Sequence, residues 1–201
     1  RLTMSQVSTT TSSPRRRVTM TWVVWITAVI AYGFAVMQRT SLGVMGLTAA
    51  AHFNAPASVV ATFMVLQLAV YAVLQIPAGI TVDRLGSRVV ITAGSIVMTV
   101  GQVVMALTGS VGGAVLARVL VGCGDAFIFG AAIRLVPAWF PPKQTPLVTQ
   151  LTGLLGQFGQ VVSAVGLVAM VNSSGWRSTY LLAAGGAAVA AALAFLLIRD
   201  A

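Results

Sequence analysis

The chain alternates long apolar runs with short polar joints. Six runs stand out, over residues 18–51, 57–80, 89–107, 111–136, 147–171 and 179–198. Each supplies the roughly 20 residues that an α-helix needs to cross about 30 Å of hydrocarbon. A transmembrane β-strand would be about half as long and would alternate polar with apolar residues, which these runs do not. Lipid offers the backbone no hydrogen-bond partner, so helices are the remaining choice. The joints carry turn chemistry: Asn54-Ala55-Pro56, Leu85-Gly86-Ser87, residues 109–113, Pro141-Pro142 and residues 172–175. The first run is interrupted by Gln38-Arg39-Thr40, and Pro77 is placed to kink the end of the second. The expected fold is an all-α, polytopic bundle of six transmembrane helices over residues 18–201. Residues 1–17 are rich in Ser and Thr, end in Arg15-Arg16-Arg17 and hold no core-forming pattern, so a disordered tail is expected there. The run behind those arginines is too long for a signal peptide and reads as a retained span.

Composition agrees with a membrane protein. Of 201 residues, 58% are hydrophobic and 7% charged, and none is Glu. A soluble domain carries about 25% charged residues, so a soluble enzyme and a disordered chain are both excluded. The net charge of +9 does not indicate nucleic acid, because no basic stripe with interleaved aromatics is present. The arginines instead cap apolar runs. Arg15–Arg17, Arg84, Arg88, Arg134, Lys143 and Arg199 fall on one side, and Arg177 on the other. The positive-inside rule then puts both termini in the cytoplasm and the chain in the cell membrane. One Cys and one His leave no material for a metal centre, and no cofactor is expected. With no Gly-x-Ser-x-Gly elbow either, an intramembrane hydrolase is excluded and the chain is read as a non-enzyme.

Three charges lie deep within spans: Arg39 in the first, Arg118 and Asp125 in the fourth. A charge at the bilayer centre costs about 2.5 to 3.5 kcal/mol on insertion scales, so such residues line polar cavities or pair with each other. Spans three and six carry no charge and are expected to face lipid. Arg118 and Asp125 are seven apart, on one helix face. They read as a substrate or proton site, or as a structural ion pair; Arg39 reads as a ligand or as a snorkelling residue. Gln67, Tyr71 and Gln75 form a stripe at i, i+4 and i+8 on the second span. It is either a cavity wall or interhelical bonding. The fifth span carries Gly153, Gly156 and Gly159, expected to allow close packing, with Gln157 and Gln160 as cavity candidates.

After the second span the chain reads Gly79-Ile80-Thr81-Val82-Asp83-Arg84-Leu85-Gly86-Ser87-Arg88. This resembles the signature loop of the major facilitator superfamily, G-x-L-A-D-R-x-G-R-K/R. Gly79, Asp83, Arg84, Gly86 and Arg88 match; Thr81, Val82 and Ser87 depart. Arg118-Val119-Leu120-Val121-Gly122-Cys123-Gly124 looks like the family's fourth-helix motif, R-x-x-x-G-x-G. Trp139 to Lys143 and Gly175-Trp176-Arg177 are similar to its later joints. The resemblance implies a secondary transporter working by alternating access, with spans one and four lining the cavity. It makes Gly79, Asp83, Arg84, Gly86 and Arg88 conformational-gate residues and assigns Arg118 to proton coupling. Asp125 stands where the motif is usually small and apolar, and is grouped with Arg118 on its own chemistry. Arg39 looks like the first-helix arginine of the organic-anion branches, whose planar guanidinium suits a carboxylate or phosphate. Gln67, Tyr71, Gln75 and Gln157 complete the expected substrate site. The fold implied is half of a twelve-helix bundle, built from two three-helix repeats.

The expected partners are therefore a small-molecule substrate, the lipid bilayer and a carboxy-terminal six-helix half or second subunit. The expected function is gradient-coupled transport of a small solute, an organic anion on the evidence of Arg39. The alternatives are an exporter of hydrophobic compounds or a truncated, non-transporting membrane protein. The fifth span lacks the proline-containing antiporter motif G-x-x-x-G-P-x-x-G-G, which weighs against drug efflux.

Overall fold

A computed structural model describes residues 14–200, with side chains from Thr19 onward. The tail expected over residues 1–17 lies outside the described residues as far as residue 13. Helix α1 already begins at Pro14 and runs to Val44. It passes through Gln38-Arg39-Thr40 without a break, because Thr40 and Ser41 return their hydroxyls to carbonyls of their own helix. The interruption comes at Met45 instead, and α2 follows over Gly46–His52. Asn54, with φ 49°, turns the chain into Pro56 and α3. Helices α3 (Ala57–Leu85), α4 (Ser87–Leu107) and α5 (Val111–Trp139) follow in order. Among the described residues there is no strand.

The last apolar stretch, Thr145–Leu197, is 53 residues long. At 1.5 Å per residue it would extend about 80 Å, more than twice a bilayer core. It comprises α6 (Thr145–Val162), a π-helical turn (Ser163–Leu167) and α7 (Val168–Leu197). At Gly175 the backbone takes φ 79° and ψ 174°, a conformation open to glycine, and the helix path breaks. Packing fixes the direction on each side. Thr152 meets Trp25, and Gly159 meets Gly33 and Met37, so α6 runs parallel to α1. Trp176 bonds to Met105 near the end of α4, and Asp200 to Ser87 and Arg88 at its start, so 176–197 runs antiparallel to α4. The chain therefore crosses six times, and the bundle is an all-α six-helix fold.

Spans three and four (α4 and α5) and spans three and six (α4 and 176–197) make the densest packing. Spans one and five, two and four, one and six, and one and four also pack, and spans one and three touch more weakly. Exchanging the first three spans for the last three maps these main contacts onto themselves, the one–three contact excepted, as two three-helix repeats lead one to expect. Small residues permit the closest crossings. A side chain at Gly94 or Gly124 would run into the other's backbone across the α4–α5 contact. Gly156 and Gly159 do the same for α6 on α1, against Tyr32 and Gly33, while Gly153 faces open space. Burial then separates the spans. Only 17% of the apolar window of α3 is buried, against 50% for α4 and 56% for α5. The expectation that span three faces lipid holds for Ile96 and Val100 but not for its opposite face, which packs inward.

One end of the bundle carries the start of α1, the end of α7 and Arg84, Arg88, Arg134, Lys143 and Arg199. The other is closed by His52, which stacks on Trp176 at 4.5 Å and bonds to the Thr108 carbonyl. The span 1–2, 3–4 and 5–6 connections thus meet in one cluster.

Candidate functional site

The intramembrane charges are brought together across helices rather than along one. Arg39 donates from Nη1 to Asp125 Oδ2 at 3.1 Å, joining α1 to α5. Asp125 is wholly buried, while the Arg39 side chain keeps 19% exposure. The second carboxylate oxygen, Oδ1, has no partner among the described residues. The Arg39 guanidinium lies over the Tyr71 ring at 5.5 Å, a cation–π contact worth about 0.5 to 2 kcal/mol. Tyr32, seven residues before Arg39 and so on the same face of α1, turns its hydroxyl toward that guanidinium and accepts from Gln157 Nε2 at 3.4 Å. Four spans thus converge on one point: α1 with Tyr32 and Arg39, α3 with Tyr71, α5 with Asp125 and α6 with Gln157.

Arg118 does not join this ion pair. It is fully buried, about 10 Å along α5 from Asp125. Two side chains on one helix face at that separation do not touch, whereas Arg39 arrives from a crossing helix. Arg118 Nη1 points at the Gln38 carbonyl, Ser41 Oγ and Gln67 Oε1, each at 3.4 Å. Its Nη2 reaches Gln102 Oε1 at 3.5 Å. The structural ion pair left open for Arg118 and Asp125 is therefore not formed.

The α3 stripe divides into three environments. Gln67 is buried with both ends of its amide engaged: Nε2 donates to the Arg39 carbonyl at 3.2 Å and Oε1 accepts from Arg118. It is an interhelical bridge, and Gly122 is the residue that lets α5 approach its backbone. Tyr71 faces Arg39. Gln75, half-buried, makes no hydrogen bond among the described residues. On α6, Gln157 and Gln160 are both exposed.

The signature loop forms a second network at the basic end. Asp83 pairs with Arg134 from α5, both about half exposed. Gly86, with φ 80°, ends α3 and starts α4, and Asp200 sits where its side chain would project. Asp200 Oδ1 accepts from the Ser87 N–H at 2.7 Å and the Arg88 N–H at 3.2 Å. A carboxylate there satisfies orphan donors of α4 and meets the positive end of its dipole. Arg88 donates Nε to the Phe195 carbonyl at 2.8 Å and lies over the Phe195 ring at 4.5 Å. Gly79 and Arg84 are exposed.

Sequence reasoning passed over Tyr32, Gln38, Ser41, Gln102, Tyr180 and Asp200. Tyr32 had a usable signal in its seven-residue spacing from Arg39. Gln102 had a weaker one, as a lone amide in an otherwise apolar span. Among the described residues no group of His, Cys, Asp or Glu could hold a metal ion.

The profile of the Major Facilitator Superfamily matches residues 24–201. A protein named probable L-galactonate transporter, from Escherichia coli K12, is 25% identical over 175 residues, covering 87% of this chain and 38% of that protein. A probable sulfoacetate transporter of Cupriavidus necator is 26% identical over 112 residues, covering 56% of this chain and 26% of its own length. The hexuronate transporter of E. coli K12 is 25% identical over 114 residues, covering 57% and 26%. Among solved structures, a bacterial homolog of the human lysosomal transporter Spinster, inward-facing and occupied, superposes with a TM-score of 0.71 at 19% identity. That likeness covers 94% of this chain and 46% of the other. A POT family transporter in complex with 5-aminolevulinic acid gives 0.69 at 17% identity, covering 90% and 37%. The chain spans less than half the length of each of these proteins. At these identities the structural likeness establishes the fold alone: a six-helix bundle that superposes on part of each of those larger proteins. With a profile match running from the first span through the last, the chain belongs to the major facilitator superfamily.

Proposed function

We propose that this chain is the amino-terminal half of a secondary transporter that moves a small organic anion by alternating access, and that Arg39 holds the anionic group. The observation that carries this reading is the Arg39–Asp125 pair. The guanidinium is partly open, it is ringed by hydroxyl and amide groups from α1, α3 and α6, and it already holds a carboxylate. A substrate carboxylate or sulfonate is the same kind of partner, and a planar guanidinium binds it through two parallel N–H donors. Three relatives named for L-galactonate, sulfoacetate and hexuronate transport support the class, because all three compounds are organic anions.

Asp125 supplies the coupling. It is the one acidic side chain within the spans, the other two acids being Asp83 and Asp200 at the basic end. Neutralising it by proton uptake releases Arg39 for the substrate; returning the charge displaces the substrate. Substrate and proton thereby travel together, as symport requires. Tyr71, Gln157 and Gln75 supply hydrogen bonds to the rest of the solute. Gln67 and Arg118 hold α1, α3 and α5 in register behind the site. Asp83, Arg84, Arg88, Gly79 and Gly86 govern closure at the basic end, which lies in the cytoplasm with both termini, in the plasma membrane. The exposed faces of α3 and α6 receive the carboxy-terminal half or a second subunit.

The test uses the native gene product reconstituted in liposomes. Sugar acids and small sulfonates are offered with and without an inward proton gradient. The expected result is gradient-driven uptake that Arg39→Gln abolishes. In Asp125→Asn, exchange of labelled for unlabelled substrate persists while gradient-driven accumulation is lost. Uptake of an anion by Arg39→Gln at the wild-type rate would overturn the assignment.

A further inference from the structure

The chamber around Arg118 has a charge balance that the transport site does not explain. Arg118 is fully buried, and every oxygen its Nη atoms meet belongs to a neutral group: Gln38, Ser41, Gln67 and Gln102. The chain has three carboxylates. Asp83 and Asp200 are at the basic end, engaged with Arg134 and the start of α4, and Asp125 is held by Arg39. No counter-charge is left for Arg118 among the described residues. A buried unpaired charge is strongly disfavoured.

The same chamber collects hydrogen-bond donors without acceptors. Arg118 Nε and Gln102 Nε2 are both buried and have no partner among the described residues, and the buried Tyr180 hydroxyl lies beside Ser41. Arg118 lies over the Tyr180 ring at 5.9 Å, and Gln102 already touches the guanidinium through its carbonyl oxygen. The Arg118 contacts of 3.4 to 3.5 Å lie beyond the usual 2.7–3.2 Å range, so the neutral oxygens grip the guanidinium loosely. One cation, two orphan N–H donors and no carboxylate describe a receptor for a small anion.

We propose that spans one, three, four and six enclose a site for a small monovalent inorganic anion, held by Arg118 and Gln102 beside Tyr180. It is distinct from the transported solute. Arg118 is closed off where Arg39 is open, and the Gln67 amide links the Arg118 guanidinium to the Arg39 backbone carbonyl. The anion neutralises the chamber and ties spans three and six to the Gln67 bridge behind the transport site.

The test is thermal unfolding of the purified native protein in sodium chloride and in sodium methanesulfonate at equal ionic strength. A ligand that binds only the folded state raises the melting temperature by mass action. The expected result is an upward shift that saturates with chloride and is absent in Arg118→Gln. In case that variant does not fold, Gln102→Glu gives an independent arm. It places a carboxylate where the Gln102 amide oxygen now meets Arg118, so its melting temperature should be raised without chloride and be indifferent to chloride. Equal melting temperatures in the two salts for wild type would overturn the proposal, as would an unchanged chloride response in Gln102→Glu. Neither readout depends on transport.

Discussion

Among the described residues there are two Arg–Asp pairs, and they sit in opposite surroundings. Arg39–Asp125 lies within the apolar spans, with side-chain exposures of 19% and 0%; Arg134–Asp83 is at the basic end, with 59% and 52%. The chemistry of the two pairs is the same, and the solvent around them is not. At the exposed pair, water competes for both ions and solvent screening leaves about 0 to 1 kcal/mol. At the buried pair, each ion depends on the other, so removing one leaves an uncompensated charge at a cost of about 3 to 5 kcal/mol. The buried pair can therefore serve as a switch between a resident carboxylate and an incoming one. The exposed pair can make and break during a conformational change at little cost.

The sharpest way to break this comparison is Arg39→Gln. It should destabilise the protein by about 3 to 5 kcal/mol, read as a large fall in melting temperature, and should abolish anion uptake. Adding Asp125→Asn to it removes the stranded charge, so the double variant should regain much of the lost stability and none of the uptake. That split separates a site residue from a merely structural one.

A smaller effect is expected where α6 crosses α1. Gly159→Val pushes a side chain into the backbone of Gly33, and overpacking of this kind costs about 1 to 3 kcal/mol. Gly153→Val, on the same helix but facing open space, should be nearly neutral in melting temperature. At the basic end, Asp200→Ala removes the acceptor for two N–H groups of α4, a loss of about 0.5 to 2 kcal/mol by analogy with helix caps. The smallest effect belongs to Asp83→Asn, expected to lower stability by no more than about 1 kcal/mol. If Asp83→Asn proved as damaging as Arg39→Gln, exposure would not be what distinguishes the two pairs.

Much of this was legible in the sequence, because lipid restricts the choices. Six apolar runs leave the backbone no option but helices, and Arg39, Arg118 and Asp125 are conspicuous among apolar neighbours. The choice of partners was not legible. Arg118 and Asp125 share a face of one helix, yet their seven-residue spacing holds them about 10 Å apart, and the pair forms with Arg39 from a helix that crosses α5. Gln102 was hidden for a related reason. A single amide in an apolar run looks compatible with lipid until the α4–α5 crossing, allowed by Gly94 and Gly124, turns that face inward. The break in the first run was expected at its polar residues and occurs at Met45. Within a helix Thr40 and Ser41 satisfy themselves on backbone carbonyls and carry no signal to stop. Gly175, by contrast, announced its turn, since residues 172–175 are all turn formers and only glycine takes its φ of 79° readily.

The most direct test of the central claim is calorimetric titration of a sugar-acid anion into the purified native protein, comparing wild type, Asp125→Asn and Arg39→Gln. If Arg39 holds the substrate and Asp125 is its resident competitor, Asp125→Asn should bind more tightly than wild type and Arg39→Gln should show no binding heat. Equal affinity in all three would contradict the account.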